Sequence, residues 1–295
     1  MKIPARSLRS TLYPIGLLLI AMVSIQTGAS LAKGLFPVVG AQGATTLRLI
    51  FSSLLLLIVF KPWRAQWTRR SLRNILLYGL ALGFMNLLYY MSIRTIPLGI
   101  AVALEFTGPL AVALLGSRRA IDFVWISLAV CGLVLLMPAI GPETSLDPVG
   151  VAYALGAGAC WAAYIIFGKK AGSDHGVQGA ALGVVVAAIF VAPVGMAYAG
   201  TTLLTLSILP IALGVAILST AIPYTLEMVA LTRMPSRTFG TLMSIEPAAG
   251  ALAGFIFLHE VLTLTQWSAI AAIIAASVGT TLTSHAEPAP TLPAD

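Results

Sequence analysis

The chain has 295 residues, of which 59% are hydrophobic and only 9% are charged, whereas soluble domains carry about 25% charged residues. This composition excludes a water-soluble globular protein and predicts a chain that lies in a lipid bilayer. The formal net charge is +7, but the basic residues occupy short loops between apolar segments, which argues against a nucleic-acid-binding protein.

Apolar segments long enough to cross a bilayer recur along the chain. About 20 helical residues cross a hydrocarbon core of about 30 Å, so there is room for about ten spans. The first apolar stretch runs from Leu12 to about Ala32, longer than the apolar region of a secretory signal, and is interpreted as a retained span. The predicted helices cover residues 13–32, 42–60, 73–93, 96–115 and 121–140 in the first half, and 147–167, 177–199, 208–230, 236–258 and 264–283 in the second.

The basic residues predict how the chain is oriented. With a cytoplasmic N-terminus, fourteen of the 17 lysines and arginines fall in segments that face the cytoplasm. Because cytoplasmic loops are enriched in these residues, both termini are expected in the cytoplasm, with residues 1–12 before the first span and 284–295 as a disordered tail. Trp63 and Trp67 are expected at the cytoplasmic membrane interface.

The two halves of the chain resemble one another after a shift of 138 residues. The matched pairs are Pro97 with Pro235, Pro109 with Pro247, Gly116 with Gly254 and Asp122 with Glu260. Because each half has an odd number of spans, the second must enter the membrane from the opposite side. The fold class predicted is therefore an all-α membrane protein of ten helices in two inverted five-helix repeats, residues 13–140 and 147–283, an arrangement typical of secondary transporters.

Ionisable residues inside the predicted spans are the strongest indication of a functional site. A charge at the centre of a membrane helix costs about 2.5–3.5 kcal/mol, so such residues usually face a partner or a wet cavity. Glu105 and Glu246 lie near the middle of their spans and close before prolines, and the shift places Glu246 on Gly108, one turn from Glu105. Both are predicted to bind substrate or protons.

Two further charges in the spans are weighed differently. Arg48 is deep enough to be costly yet shallow enough to snorkel, and its guanidinium suits a substrate carboxylate. Glu227 is expected near the cytoplasmic end of its span, in reach of water or Arg233, and is left outside the predicted site. Uncharged polar side chains are expected to complete the site, with interhelical hydrogen bonding as the alternative role: they are Gln26, Asn86, Tyr89, Tyr90, Tyr164 and Tyr224.

Small residues at four-residue spacing, such as Gly79 and Gly83, predict close helix packing. No P-loop, zinc-protease motif or nucleophile elbow is present, so the chain is not expected to be an enzyme or to hydrolyse ATP. The two cysteines, Cys131 and Cys160, show no metal-site spacing, and no cofactor or metal is expected.

Five segments resemble the drug/metabolite transporter superfamily of EamA type, and within it the bacterial threonine/homoserine exporters. They begin at Ser24 (SIQTGASLAKGLFP), Ile96 (IPLGIAVALEFTGPLAVAL), Gly156 (GAGACWAAYI), Ala216 (AILSTAIPYTLEM) and Arg237 (RTFGTLMSIEPA). The resemblance implies an inner-membrane exporter of threonine, homoserine and similar amino acids, driven by proton exchange. Other cargoes, such as aromatic amino acids, drugs or other metabolites, remain open on this fold, as do a passive channel and an enzyme acting on lipid.

Overall fold

A computed structural model of the chain describes residues 5–32, 34–92, 95–96, 101, 104–117, 119–136, 147–243, 245–246, 248–249 and 263–283. These residues are almost entirely helical. The helices are α1 Ala5–Ala32, α2 Phe36–Phe60, α3 Arg69–Ser92, α4 Thr107–Gly116, α5 Ala120–Leu136, α6 Pro148–Ala199, α7 Leu209–Ala216, α8 Ile222–Arg233, α9 Ser236–Leu242 and α10 Leu264–Thr283. A π-helical turn, Ile217–Ala221, joins α7 to α8 in one continuous rod.

Four helical stretches among the described residues are long and apolar enough to cross a membrane: Phe36–Phe60, Arg69–Ser92, Pro148–Leu204 and Leu206–Arg233. Their large apolar side chains also point outward. Ile58 on α2 is 66% exposed and Ile189 on α6 is 62% exposed, which would be costly in water and is favourable against lipid. The chain is therefore an all-α membrane protein.

Helix α6 has 52 residues, far longer than a bilayer requires, and it folds back on itself at Gly176. This residue has a φ of +53°, which L side chains rarely adopt. A straight helix would separate Ala171 from Gly179 by about 12 Å, yet a Cβ built on Gly179 would lie 2.9 Å from the Ala171 carbonyl oxygen. The two arms of α6, residues 148–175 and 177–199, are therefore two antiparallel spans with a bend of one residue.

Helix α3 lies against both arms of α6 and forms the main contact of the fold. A Cβ on Gly79 would lie 2.5 Å from Val186 Cβ, and one on Gly83 would lie 3.3 Å from Ala187 Cα. The two glycines therefore bring the backbones together, as their spacing predicted. Other contacts join α1 to α8, α2 to α6 and α7, α4 to α6 and α9, and α5 to α10.

Several predicted boundaries are confirmed and others are wrong. Helix α10 covers residues 264–283 as predicted. Helix α1 begins at Ala5 rather than at residue 13, and α2 begins at Phe36 because Gly40, with a φ of +66°, breaks the helix without ending it. The segment 168–175, predicted as a loop, is helical and continues the first arm of α6 as far as Gly176. Residues 137–146, 250–262 and the tail 284–295 lie outside the described residues.

Candidate functional site

A buried guanidinium is the centre of the candidate site. Arg48, on α2, is 9% exposed and donates from Nη2 to Oδ1 of Asn86 on α3. Asn86 in turn donates from Nδ2 to the Leu82 carbonyl oxygen at 2.8 Å and to Tyr224 Oη at 3.2 Å. The prediction that Arg48 could snorkel is wrong, because α3 covers it and Asn86 holds it inward.

The remaining donors of Arg48 are incompletely used. Among the described residues, nothing accepts a hydrogen bond from its Nε, and it forms no ion pair with them. The guanidinium also lies near the ring of Tyr90, whose centroid is 5.7 Å from Cζ. A buried cation without a counter-ion is costly, so the position is suited to an anionic group that arrives with a ligand.

Two tyrosines at the end of α3 connect Arg48 to the predicted carboxylates. Tyr89 and Tyr90 contact edge to face, with centroids 5.7 Å apart. Tyr90 faces Arg48, whereas Tyr89 interacts electrostatically with Glu105 and Glu246. The tyrosine pair therefore lies between the basic and the acidic side of the site.

Glu105 and Glu246 occupy the acidic side. Glu105 is 9% exposed and lies in a helical turn that Phe106 separates from α4. Its carbonyl oxygen is so close to α6 that a Cβ on Gly158 would lie 2.6 Å from it. Glu246 is half-buried, and its carboxylate interacts electrostatically with that of Glu105. Neither forms an ion pair with a described residue, so the two acids lie near each other without a cation from the described part of the chain.

A third buried carboxylate belongs to this region, although the sequence analysis left it out. Glu227, on α8, is 5% exposed and accepts a hydrogen bond of 2.7 Å from Tyr164 Oη on α6. The expectation that it reaches Arg233 is wrong, because that guanidinium lies 4.8 Å from the ring of Tyr13. Two of the polar side chains predicted for the site, Tyr164 and Tyr224, contact each other with centroids 6.1 Å apart.

The described side chains thus form a series of hydrogen bonds joined by one ring contact, the polar path of the core. It passes from Arg48 through Asn86 and Tyr224 to the ring of Tyr164 and then to Glu227. Of the predicted site residues, Gln26 lies on α1, and its side chain is outside the described part of the structure. No group of three or more His, Cys, Asp or Glu side chains within the described residues could hold a metal ion.

Comparisons with known proteins assign the chain to a family. It is 58% identical over 275 residues to the threonine/homoserine exporter RhtA of Salmonella typhimurium strain LT2, and equally to that of Escherichia coli strain K12. Each alignment covers 93% of this chain and 93% of the relative. Residues 148–282 also match the model of the EamA-like transporter family. The chain belongs to this family.

Two more distant similarities are also found. An uncharacterized transporter of Synechocystis sp. is 33% identical over 109 residues, which is 33% of each chain. A solved crystal structure with 17% identity superposes with a TM-score of 0.72, covering 91% of this chain and 96% of that chain. At this identity the superposition shows the fold alone. The transporter family and the apolar helices together make the chain a multi-pass membrane protein.

Proposed function

We propose that this protein exports threonine, homoserine and similar small amino acids across the bacterial inner membrane in exchange for protons. The observation that carries the proposal is the 58% identity to two threonine/homoserine exporters over 93% of the chain. The buried polar path supports it, because a zwitterion needs both an anion-binding and a cation-binding group away from water.

Arg48 is the proposed contact for the substrate carboxylate. A guanidinium presents five N–H donors in a planar fork that matches a carboxylate. Asn86 occupies one Nη2 donor and fixes the plane of the group, which leaves Nε available. The ammonium group of the substrate would then meet Glu105 or Glu246 across the Tyr89–Tyr90 pair.

The buried carboxylates are the proposed proton carriers. A carboxylate without a cation in a low-dielectric interior is stabilised by a proton or by a bound ammonium group, and the two compete. Proton entry would therefore release the substrate. Glu227, which Tyr164 orients, adds a carboxylate in the middle of α8 to the proposed proton carriers. One charge that moves along the membrane potential yields about 2.3 kcal/mol per 100 mV, enough for accumulation of about fifty-fold.

The inverted repeats and the transmembrane orientation remain part of the proposal. In support, Asn86 and Tyr224 are 138 residues apart, and equivalent residues of two repeats can touch only near the axis that relates them. The helix contacts also fit two repeats related by symmetry. Helix α5 contacts its proposed counterpart α10, α4 contacts its counterpart α9, and the contact of α1 with α8 corresponds to that of α6 with α3. The family match to residues 148–282 covers nearly the whole proposed second repeat, 147–283.

The test is transport by purified protein in liposomes with labelled threonine and an imposed pH gradient. We expect threonine to accumulate against its own gradient and the accumulation to stop when an ionophore collapses the pH difference. A panel of unlabelled homoserine, phenylalanine and a cationic dye then measures competition. Homoserine is expected to compete most strongly.

Each alternative gives a distinct result in this assay. A passive channel would equilibrate threonine without accumulation, and a transporter of other cargo would be inhibited by phenylalanine or the dye rather than by homoserine. Accumulation that survives collapse of both the pH difference and the membrane potential would contradict proton exchange.

A further inference from the structure

A polar cavity lies where the first turns of α3 meet the end of the first arm of α6. Its volume is about 150 Å³, and it is lined by Arg70, Arg73, Asn74, Lys170, Ser173 and Asp174. It belongs to neither the polar path through the core nor the candidate transport site. Nothing in the proposed transport mechanism uses these residues.

The charges around the cavity are unbalanced. Three cationic side chains face one carboxylate, Asp174, and among the described residues no ion pair joins Asp174 to any of them. Lys170 instead lies over the ring of Phe167, with Nζ 5.4 Å from the centroid. An anion in the cavity would offset this excess of positive charge.

Asn74 is the second, independent indication of a ligand. Its side chain is only 7% exposed, and its amide makes no hydrogen bond to a described residue. Its amide atoms are not among the fully buried polar atoms that lack a partner, so the small part of this side chain that stays accessible can receive a ligand. Because Asn74 lines the cavity, a bound oxyanion could accept its N–H.

The side chains around the cavity are typical of the lipid headgroup layer. Trp67 precedes α3 and contacts His175 beside the cavity, with ring centroids 4.2 Å apart and ring planes tilted by 49°. The indole Nε1 of Trp67 donates to the Pro62 carbonyl oxygen at 2.9 Å, and the neighbouring Trp63 is 63% exposed. Tryptophan is enriched at the membrane–water interface.

We propose that this cavity is a phosphate-binding site, occupied by the headgroup phosphate of an anionic phospholipid or by a free phosphate-bearing anion. Arg70 and Arg73 would donate hydrogen bonds to the phosphate oxygens, and Lys170 would contribute a further positive charge. Asn74 would donate one neutral hydrogen bond. The bound phosphate joins the start of α3 to the arm of α6 just before the Gly176 bend. Occupancy therefore stabilises this end of the helix bundle.

The test measures thermal unfolding of the full-length protein in a zwitterionic detergent. Short-chain phosphatidylglycerol is added in one arm and inorganic phosphate in the other, with phosphatidylcholine and chloride at the same ionic strength as references. One variant combines Arg70→Gln with Arg73→Gln. The control is Arg64→Gln, which changes an exposed arginine on the segment just before α3. Each arginine at such an interface contributes about fivefold in affinity, so the double variant should bind at least tenfold more weakly.

The arms of the experiment distinguish the sources of phosphate. Stabilisation by phosphatidylglycerol alone assigns a lipid headgroup, and equal stabilisation by inorganic phosphate assigns a soluble anion. In both cases the effect should be kept in Arg64→Gln and weakened by added salt. The proposal is overturned if neither ligand stabilises the natural protein beyond its reference, or if the double variant, folded and active in threonine transport, responds as the natural protein does.

Discussion

Replacing Arg48 by methionine tests whether its charge serves substrate binding or the stability of the fold. The change removes a buried charge that costs about 2.5–3.5 kcal/mol to place in a membrane helix. It also leaves Asn86 Oδ1 without its donor, a loss of about 1–3 kcal/mol. The two effects largely cancel, so the free energy of unfolding should change by less than about 2 kcal/mol. A cation held by a buried carboxylate would instead lose about 3–5 kcal/mol.

Transport should respond very differently to the same substitution. Losing one charge-assisted hydrogen bond to the substrate carboxylate costs about 1.5–3 kcal/mol, which raises the KM for threonine by about ten- to a hundredfold. Stability is measured by unfolding in mixed micelles with a denaturing detergent, and KM by initial rates in liposomes. An Arg48→Met variant with an unchanged KM, or one that unfolds 3–5 kcal/mol more easily, would refute the assignment.

Further predictions concern proton coupling at Glu227, the packing of α3 on α6 and the start of α6. Glu227→Gln should abolish accumulation driven by a pH gradient yet keep threonine exchange at equal pH, and an equal loss of exchange would contradict this role. Tyr164→Phe should weaken accumulation by about tenfold or less, because one hydrogen bond to a charged group is lost. Gly79→Ala should destabilise the fold by about 1–3 kcal/mol, because the new Cβ would lie 2.5 Å from a valine Cβ of α6. Gly83→Ala is the matched control, since its nearest contact is 3.3 Å, and similar losses in both variants would refute the packing argument. The Thr95 hydroxyl and two backbone amides of α6 hold the pKa of Asp147 below its usual 3.8. The advantage in melting temperature over Asp147→Ala should therefore be constant above about pH 5 and shrink as the pH falls further; a difference independent of pH would disprove it.

Much of the fold follows from the sequence because lipid imposes simple rules. Apolar length alone located α10 correctly, and the spacing of Gly79 and Gly83 predicted a close helix contact, for which the structure shows the partner to be α6. The positions of the chain reversals were harder to predict. A loop was expected over residues 168–176, yet a single glycine makes the turn at Gly176, because hydropathy marks the edge of the apolar region and carries no information about backbone dihedrals.

The candidate site was predicted in its members but not in its connections. The sequence identified Arg48, Asn86 and Tyr224 separately, and only the packing of α2, α3 and α8 shows that they share hydrogen bonds. Glu227 was missed because its position near a helix end suggested contact with water. The repeat offered a correction, since a shift of 138 residues places Glu227 on Tyr89, which was already in the predicted site.

The one-residue bend at Gly176 restricts how the molecule can change shape. Two spans tied end to end by so short a connection cannot slide past each other along the membrane normal. They can only tilt apart about the bend at Gly176. A conformational change that opens the protein at the ends of these arms remote from Gly176 must therefore tilt residues 148–175 against residues 177–199. The two ends next to Gly176 stay level with each other.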